Sequence, residues 1–507
     1  MAHPDARPGD ARDAGARRPP QPRRRGLLAR RPEGALNVPQ RVLATTGAQL
    51  AGKLALALAA IATLRLTTGY LGVEGYGELA IVFAFVPVLA VVCDLGIPLV
   101  LGRELAKAPE RADELGGTML AVRLAGSAVL LALFLGLVPF LPYEHHVKVA
   151  LATAAAGVVL GAVAGFPAAF FQLHLRLDLA ALVDLAGALV GVALIGAVVT
   201  LDLGFYALVA TLPVGALVSA LLAFALSRRF WRVNVRAGWA QALPLLRDAV
   251  PLGVVTMLGL LHFKVDSLML SVLRPAEDLG IYAVAYRFLE QALILPGLFL
   301  AALFPILTRL VSARAPEGEL VLRRAFDVLL LVAVPLAIAV FALAEPLVAL
   351  LAGELFADAV GPLRILALAL VLAFANAPFA VALVALNERR ALIAASAAGL
   401  ALNIGLNAWA IPAYGYTGAA VTTVVSELVG FALVFALAHR AYPFTLRGAG
   451  ALRLAPAAGA MALTFAAFAA AGFPGWPALA PAALAFAGAA YAARVVTRGD
   501  LRLILGR

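Results

Sequence analysis

Several charged and amide side chains of this sequence fall inside otherwise apolar stretches, where each needs an opposite charge, a hydrogen-bonding partner or a water-filled cavity beside it. In the first stretch Thr46, Gln49 and Lys53 follow i, i+3, i+7 spacing, so they share one helical face, which Ala57 and Ala60 continue. Leu56 falls on the same side and blurs the stripe. Such a face turns toward a bundle interior, where Lys53 either attracts an anion or contacts a neighbouring helix. Arg65, at the end of the stretch, suits a snorkelling position at an interface. Arg123 is either an interface anchor or an anion ligand, and Asp94 is predicted to hold the end of its helix through Arg103.

The densest group runs from His262 to Glu290 and turns near Ala276 and Glu277. Residues equidistant from that turn lie at similar depth, which pairs Asp266 with Arg287 and Lys264 with Glu290. Lys264 and Asp266 are about 200° apart on a helix, so both pairs cannot easily form across one interface. The spacing predicts that one of the four looks into a cavity; a buried Asp266–Arg287 ion pair that fixes register is the competing arrangement. His262, one turn before Asp266, is either a proton relay or a polar neighbour. Asn403 and Asn407, with Glu427 at comparable depth, suit hydrogen bonding between helices.

The elements that carry these residues must be membrane spans. At 63% hydrophobic over 507 residues, with mean hydropathy +0.96, the chain exceeds the roughly 45–50% apolar content of soluble domains. About fourteen stretches reach the roughly 20 apolar residues that a spanning helix needs. They are predicted near 41–66, 77–99, 118–141, 148–172, 179–200 and 204–226, then 247–272, 280–308, 324–344, 362–386, 390–411 and 414–438, and finally 449–471 and 476–495. Lysine and arginine concentrate at the termini and in every second gap, as at Arg103 and Lys107, Arg228 and Arg229, and Arg389 and Arg390. That excess marks cytoplasmic loops, so the expectation is a multi-pass protein of the bacterial inner membrane with both termini in the cytoplasm.

A polar break from Ser227 to Asp248, with Phe230, Trp231 and Trp239 among arginines, divides two groups of six. The expected organisation is a basic disordered tail over 1–40, an N-terminal lobe over 41–242, a C-terminal lobe over 243–445, and two helices with a cytoplasmic tail over 446–507. YGELAIVF from Tyr76 and LGIYAVAY from Leu279 open the second helix of each group, an internal similarity of the kind transporters built from repeats display. The fold class is therefore an all-α integral membrane bundle of two pseudo-symmetric six-helix lobes plus two C-terminal helices.

Other chemistries are disfavoured. Cys93 is the single cysteine, the six histidines lack metal-ligand spacing, and no Walker A sequence occurs, so no metal or other cofactor is expected. The net charge of +11 follows topology and suits anionic lipid rather than nucleic acid. The longest of the gaps poor in cations runs only from Glu345 to Pro362, which leaves no room for an outer catalytic domain. A transporter is expected, not an enzyme.

The segment from Phe263 to Leu310 carries Asp266, then Gly280, Tyr282, Ala285, Tyr286 and Arg287, then Pro305 and Arg309. With GVEGYGELAIVFAF from Gly72, DLGIPLVLGREL from Asp94 and LNIGLNAWAIPAYGYTGAA from Leu402, it resembles the polysaccharide (O-antigen repeat-unit) flippase family of the MOP superfamily, whose fold is MATE-like. The resemblance implies translocation of an undecaprenyl-diphosphate-linked oligosaccharide across the cytoplasmic membrane by alternating access between two lobes. It implies membrane lipids as surroundings, and a polysaccharide polymerase and glycosyltransferases as pathway partners. On this resemblance Lys53, Gln49, Lys264, Arg287 and Arg123 become candidates for holding the diphosphate in a cationic cavity, and Asp266, Glu290 and His262 for ion coupling or a structural ion pair. Related lipid II flippases carry an arginine-rich first helix that is not found here. A MATE-like exporter of organic cations is the rival, and it should place unpaired carboxylates in the N-terminal lobe, where only Asp94 and Asp184 fall within spans.

Overall fold

The computed structural model describes residues 38–94, 96–232, 239–445, 450–493 and Val495. Most of the expected tail over 1–40, and the tail after Val495, lie outside the described residues. The described residues from 48 onward form one compact unit.

The first helix, α1 (Val38–Asp94), begins inside the expected tail and bends at Gly72, whose φ of 68° and ψ of −167° belong to a region open to glycine. The bend reverses the chain, for Thr63 and Thr67 before it line one cavity with Leu79 and Phe83 after it. Next come α2 (Ile97–Lys107), α3 (Ala112–Leu137), α4 (His145–Gly165) and α5 (Ala168–Leu173). The expected span over 148–172 breaks between α4 and α5 at Phe166 and Pro167, because proline has no N–H to continue the ladder. Two long helices, α6 (Leu177–Thr200) and α7 (Gly204–Ser227), complete this set.

The second set opens with α8 (Trp239–Leu273), which begins within the expected interfacial connector. Then α9 (Ala276–Ala292) and α10 (Ile294–Ser312) divide the expected 280–308 span at Leu293, ahead of Pro296. They are followed by α11 (Pro316–Ala342), α12 (Ala344–Leu351), α13 (Val360–Ala385) and α14 (Arg389–Ala441). The last of these folds back at Gly415 (φ 55°), and the Thr422 hydroxyl donates to Asn407 Oδ1 across the bend. Two shorter helices close the chain, α15 (Leu454–Ala470) and α16 (Leu479–Ala492).

Among the described residues ten helical segments are long and apolar enough to cross a membrane. Two of them reverse, at Gly72 and Gly415, and with α15 and α16 they supply about fourteen traverses. The chain is an all-α, multi-pass membrane protein.

Within the first set α4 packs against α3 and α7, and α7 against α6. In the second, α13 packs against α14, α11, α10 and α9, while α15 and α16 pair with each other and lean on α11. The sets meet at both ends of the second limb of α1. At one end Gly77 lies against Ala276, the Tyr76 and Phe356 rings meet edge to face at 5.6 Å, and Tyr143 and Ser271 share a hydrogen bond of 2.7 Å. At the other end Gly96 lies against the backbone of Ala249 and Gly253, and Arg103 pairs with Asp248.

Candidate functional site

Glu290 takes a cation on each carboxylate oxygen. Its Oε1 accepts from Lys264 Nζ of α8, and its Oε2 from Arg287 Nη1 at 3.1 Å, one turn back on α9. Two cations share one carboxylate, so the cluster keeps a net positive charge. The Lys264 ammonium lies 5.6 Å from the centre of the Tyr286 ring, and the Arg287 guanidinium lies 5.2 Å from that of Phe83 on α1. An aromatic face attracts a cation without neutralising it.

Arg287 reaches out of its own helix set. It lines a cavity of about 530 Å³ whose other walls come from α1, α4, α6 and α7, including Thr63, Thr67, Asp184 and Ser219. It also borders a space of about 30 Å³ at the junction of the two sets, with Lys264, Ser267 and Glu290. A second large cavity, about 600 Å³, lies within the second set and is bordered by His262, Asn376, Ser396 and Glu427.

The expected Asp266–Arg287 ion pair is not formed. Asp266 is buried and accepts hydrogen bonds from the Tyr282 hydroxyl, from Thr423 Oγ1 at 3.0 Å and from the Ser267 N–H at 2.9 Å. Lys264 meets Glu290 late in α9, whereas Asp266, about 200° round α8, sits between Tyr282, earlier on α9, and Thr423 of α14. His262 pairs with Glu427, with Nε2 and Oε1 3.5 Å apart. Asn403 donates to Ser426 Oγ at 3.2 Å and Asn407 to Asn403 Oδ1 at 2.8 Å, so the amides join the two limbs of α14.

Arg123 is buried, and its charge partner is Asp94. Arg103, expected to hold Asp94, pairs instead with Glu104 at 2.9 Å and with Asp248 of the second set. Lys53 is exposed and is not among the residues bordering the first cavity, although Leu56, Ala60, Thr63 and Thr67 of its own face are. The side chain of Gln49 lies outside the described residues. The structure thus brings Lys264, Arg287 and Glu290 together and leaves Lys53, Arg123, Asp266 and His262 in separate surroundings. Sequence reasoning missed Phe83 and Ser219 as cavity residues, since neither stands out in an apolar stretch. It noted Asp184 only as one of two acids within spans.

The arrangement has known relatives. The solved lipid II flippase MurJ, in an inward closed conformation, superposes with a TM-score of 0.69 over 92% of this chain and 100% of that chain, at 14% identity. An inward-facing multidrug resistance MATE family transporter of the MOP superfamily gives 0.63 over 78% and 98%, at 15% identity. A MOP superfamily transporter from Pyrococcus furiosus, described as having a binding pocket of reverse polarity, gives 0.58 over 79% and 96%, at 16% identity. The fold is therefore that of the MOP-superfamily transporters. No curated protein matches the chain in sequence, while the MatE family matches residues 251–409. The pattern of the polysaccharide biosynthesis protein family matches residues 42–311, more than half the chain, and the chain belongs to that family.

Proposed function

We propose that this protein is a flippase that moves an undecaprenyl-diphosphate-linked oligosaccharide across the bacterial cytoplasmic membrane for polysaccharide biosynthesis. It works by alternating access between lobes 41–242 and 243–445, with both termini in the cytoplasm and α15 and α16 outside the lobes. It acts as a transporter rather than an enzyme, beside the glycosyltransferases and polymerase of its pathway.

The observation that carries this reading is Arg287: a cation mounted on one lobe lines the large cavity walled by the other. A diphosphate there would contact Arg287, backed by Lys264, between low-dielectric walls that screen the attraction less than bulk water does. Sharing Glu290 keeps both cations folded in before substrate arrives and leaves net positive charge for the anion. Membership of the polysaccharide biosynthesis protein family supports the same substrate class. Asp184 in the same cavity favours a second reading, export of small organic cations.

Depletion of the protein from its own cells separates the two. A flippase leaves lipid-linked oligosaccharide accumulating in the cytoplasmic leaflet and surface polysaccharide falling. An exporter leaves both unchanged and makes the cells sensitive to organic cations.

A further inference from the structure

We propose that Arg123 and the cavity beside it form a second anion site, for a phosphate or diphosphate group, which Asp94 occupies by default. Arg123 is 3% exposed, and only its Nη2 is paired, with Asp94. Its Nε and Nη1 are buried without any hydrogen-bond partner. A guanidinium carries five N–H donors in a rigid fork suited to phosphate oxygens, and donors left unpaired in a buried place are costly.

These donors belong to a side chain on the wall of a cavity of about 320 Å³. At roughly 30 Å³ per water, that is room for about ten waters, or for an anion with part of its hydration shell. The present partner can withdraw, because the Asp94 carboxylate is 41% exposed. The facing wall has no side chains at Gly161 and Gly165 of α4: a Cβ on Gly165 would stand 4.0 Å from Arg123 Nη2, and one on Gly161 would meet nothing within 4 Å. The same two glycines border the larger cavity that Arg287 lines. The two cavities thus share this stretch of α4, together with Leu212 of α7.

The site does not depend on what the protein transports; a cation exporter could carry it as well. Its test is titration calorimetry of the full-length protein in neutral detergent with inorganic pyrophosphate. The site predicts an affinity that drops at least tenfold in Arg123→Gln and in Gly161→Leu, which fills the cavity. Asp94→Asn, which removes the resident anion, should bind several-fold more tightly. Arg287→Gln should leave this component in place, so loss of transport in that variant speaks only to the flippase reading. Pyrophosphate binding that is equal in wild type, Asp94→Asn and Gly161→Leu overturns the proposal, and these two variants decide even if Arg123→Gln fails to fold. Repeating the titration in nanodiscs of phosphatidylcholine and of phosphatidylglycerol identifies the natural occupant. Weaker pyrophosphate binding in phosphatidylglycerol assigns the site to a lipid headgroup, and equal binding assigns it to a soluble or substrate phosphate; an Arg123-dependent component in either disc supports the site.

Discussion

Gly77 and Gly280 touch: a Cβ on Gly280 would come 3.1 Å from the Gly77 Cα, and a Cβ on Gly77 would come 1.9 Å from the Ala276 carbonyl oxygen. The two glycines hold the same place in YGELAIVF and LGIYAVAY, so two similar helices cross at equivalent points. Lipid offers no hydrophobic drive to hold helices together, and close backbone approach at small residues supplies it instead. One residue beyond each run, Ala84 stands on α1 where α9 has Arg287. The cation that marks the cavity thus breaks an otherwise repeated pattern.

That crossing should act as one gate. Gly77→Val cannot keep the contact, and it is expected to hold this end apart while leaving each helix set folded. Ser271, buried here beside Tyr143, reports on it. A Ser271→Cys thiol should react faster with a water-soluble maleimide in the Gly77→Val background than alone, and equal rates would show that the crossing is not a gate.

The opposite end is closed by Arg103 and Asp248, both substantially exposed. An ion pair this exposed is screened by solvent and adds little to stability, so Arg103→Glu should leave thermal denaturation in detergent nearly unchanged. Its effect should fall on transport, which is expected to slow and to recover when Asp248→Arg restores the pair in reverse. Failure of the double variant to regain activity would separate this ion pair from the transport cycle.

Asp266 should be costly to remove. Asp266→Ala takes the carboxylate acceptor from the buried Tyr282 hydroxyl and leaves it only Thr423 Oγ1 at 3.2 Å, while Thr423 keeps the Ala419 carbonyl at 2.8 Å, so the loss falls on one group and costs about 1–3 kcal/mol. Tyr282→Phe removes one donor and leaves Asp266 two others, so its cost is expected near 1 kcal/mol. Thermal denaturation of the two purified variants checks the ranking, and an Asp266→Ala protein as stable as wild type would contradict the role drawn from its contacts.

Much of this architecture was legible in the sequence because length and hydropathy determine spans almost by themselves. The roughly fourteen traverses and the grouping of Lys264 with Glu290 follow from spacing, and the likeness of the runs at Tyr76 and Leu279 is visible in the sequence, although their contact is not. Partner choice was harder. Helical phase showed that Lys264 and Asp266 face different ways, yet it could not say that Tyr282 and Thr423 would claim Asp266. Asp94 sits close in sequence to Arg103 but pairs with Arg123, because α3 packs beside the end of α1 and the turn at Gly96 carries Arg103 toward α8. Lys53 lies on the cavity-lining face of α1, but at a position beyond the residues that border the cavity. A periodicity fixes a face and leaves open how far along the helix a cavity extends.

The central claim is that the Arg287 charge holds the diphosphate of a lipid-linked oligosaccharide during translocation, and reconstituted flipping tests it most directly. Proteoliposomes loaded with such a lipid would be assayed for oligosaccharide that becomes accessible to a lectin outside. A charged hydrogen bond contributes roughly 1.5–3 kcal/mol, so Arg287→Gln is predicted to lower flipping about 10- to 100-fold with its thermal stability preserved. Arg287→Lys should retain an intermediate rate, because it keeps the charge and loses the planar fork. Wild-type flipping by a well-folded Arg287→Gln protein would contradict the account.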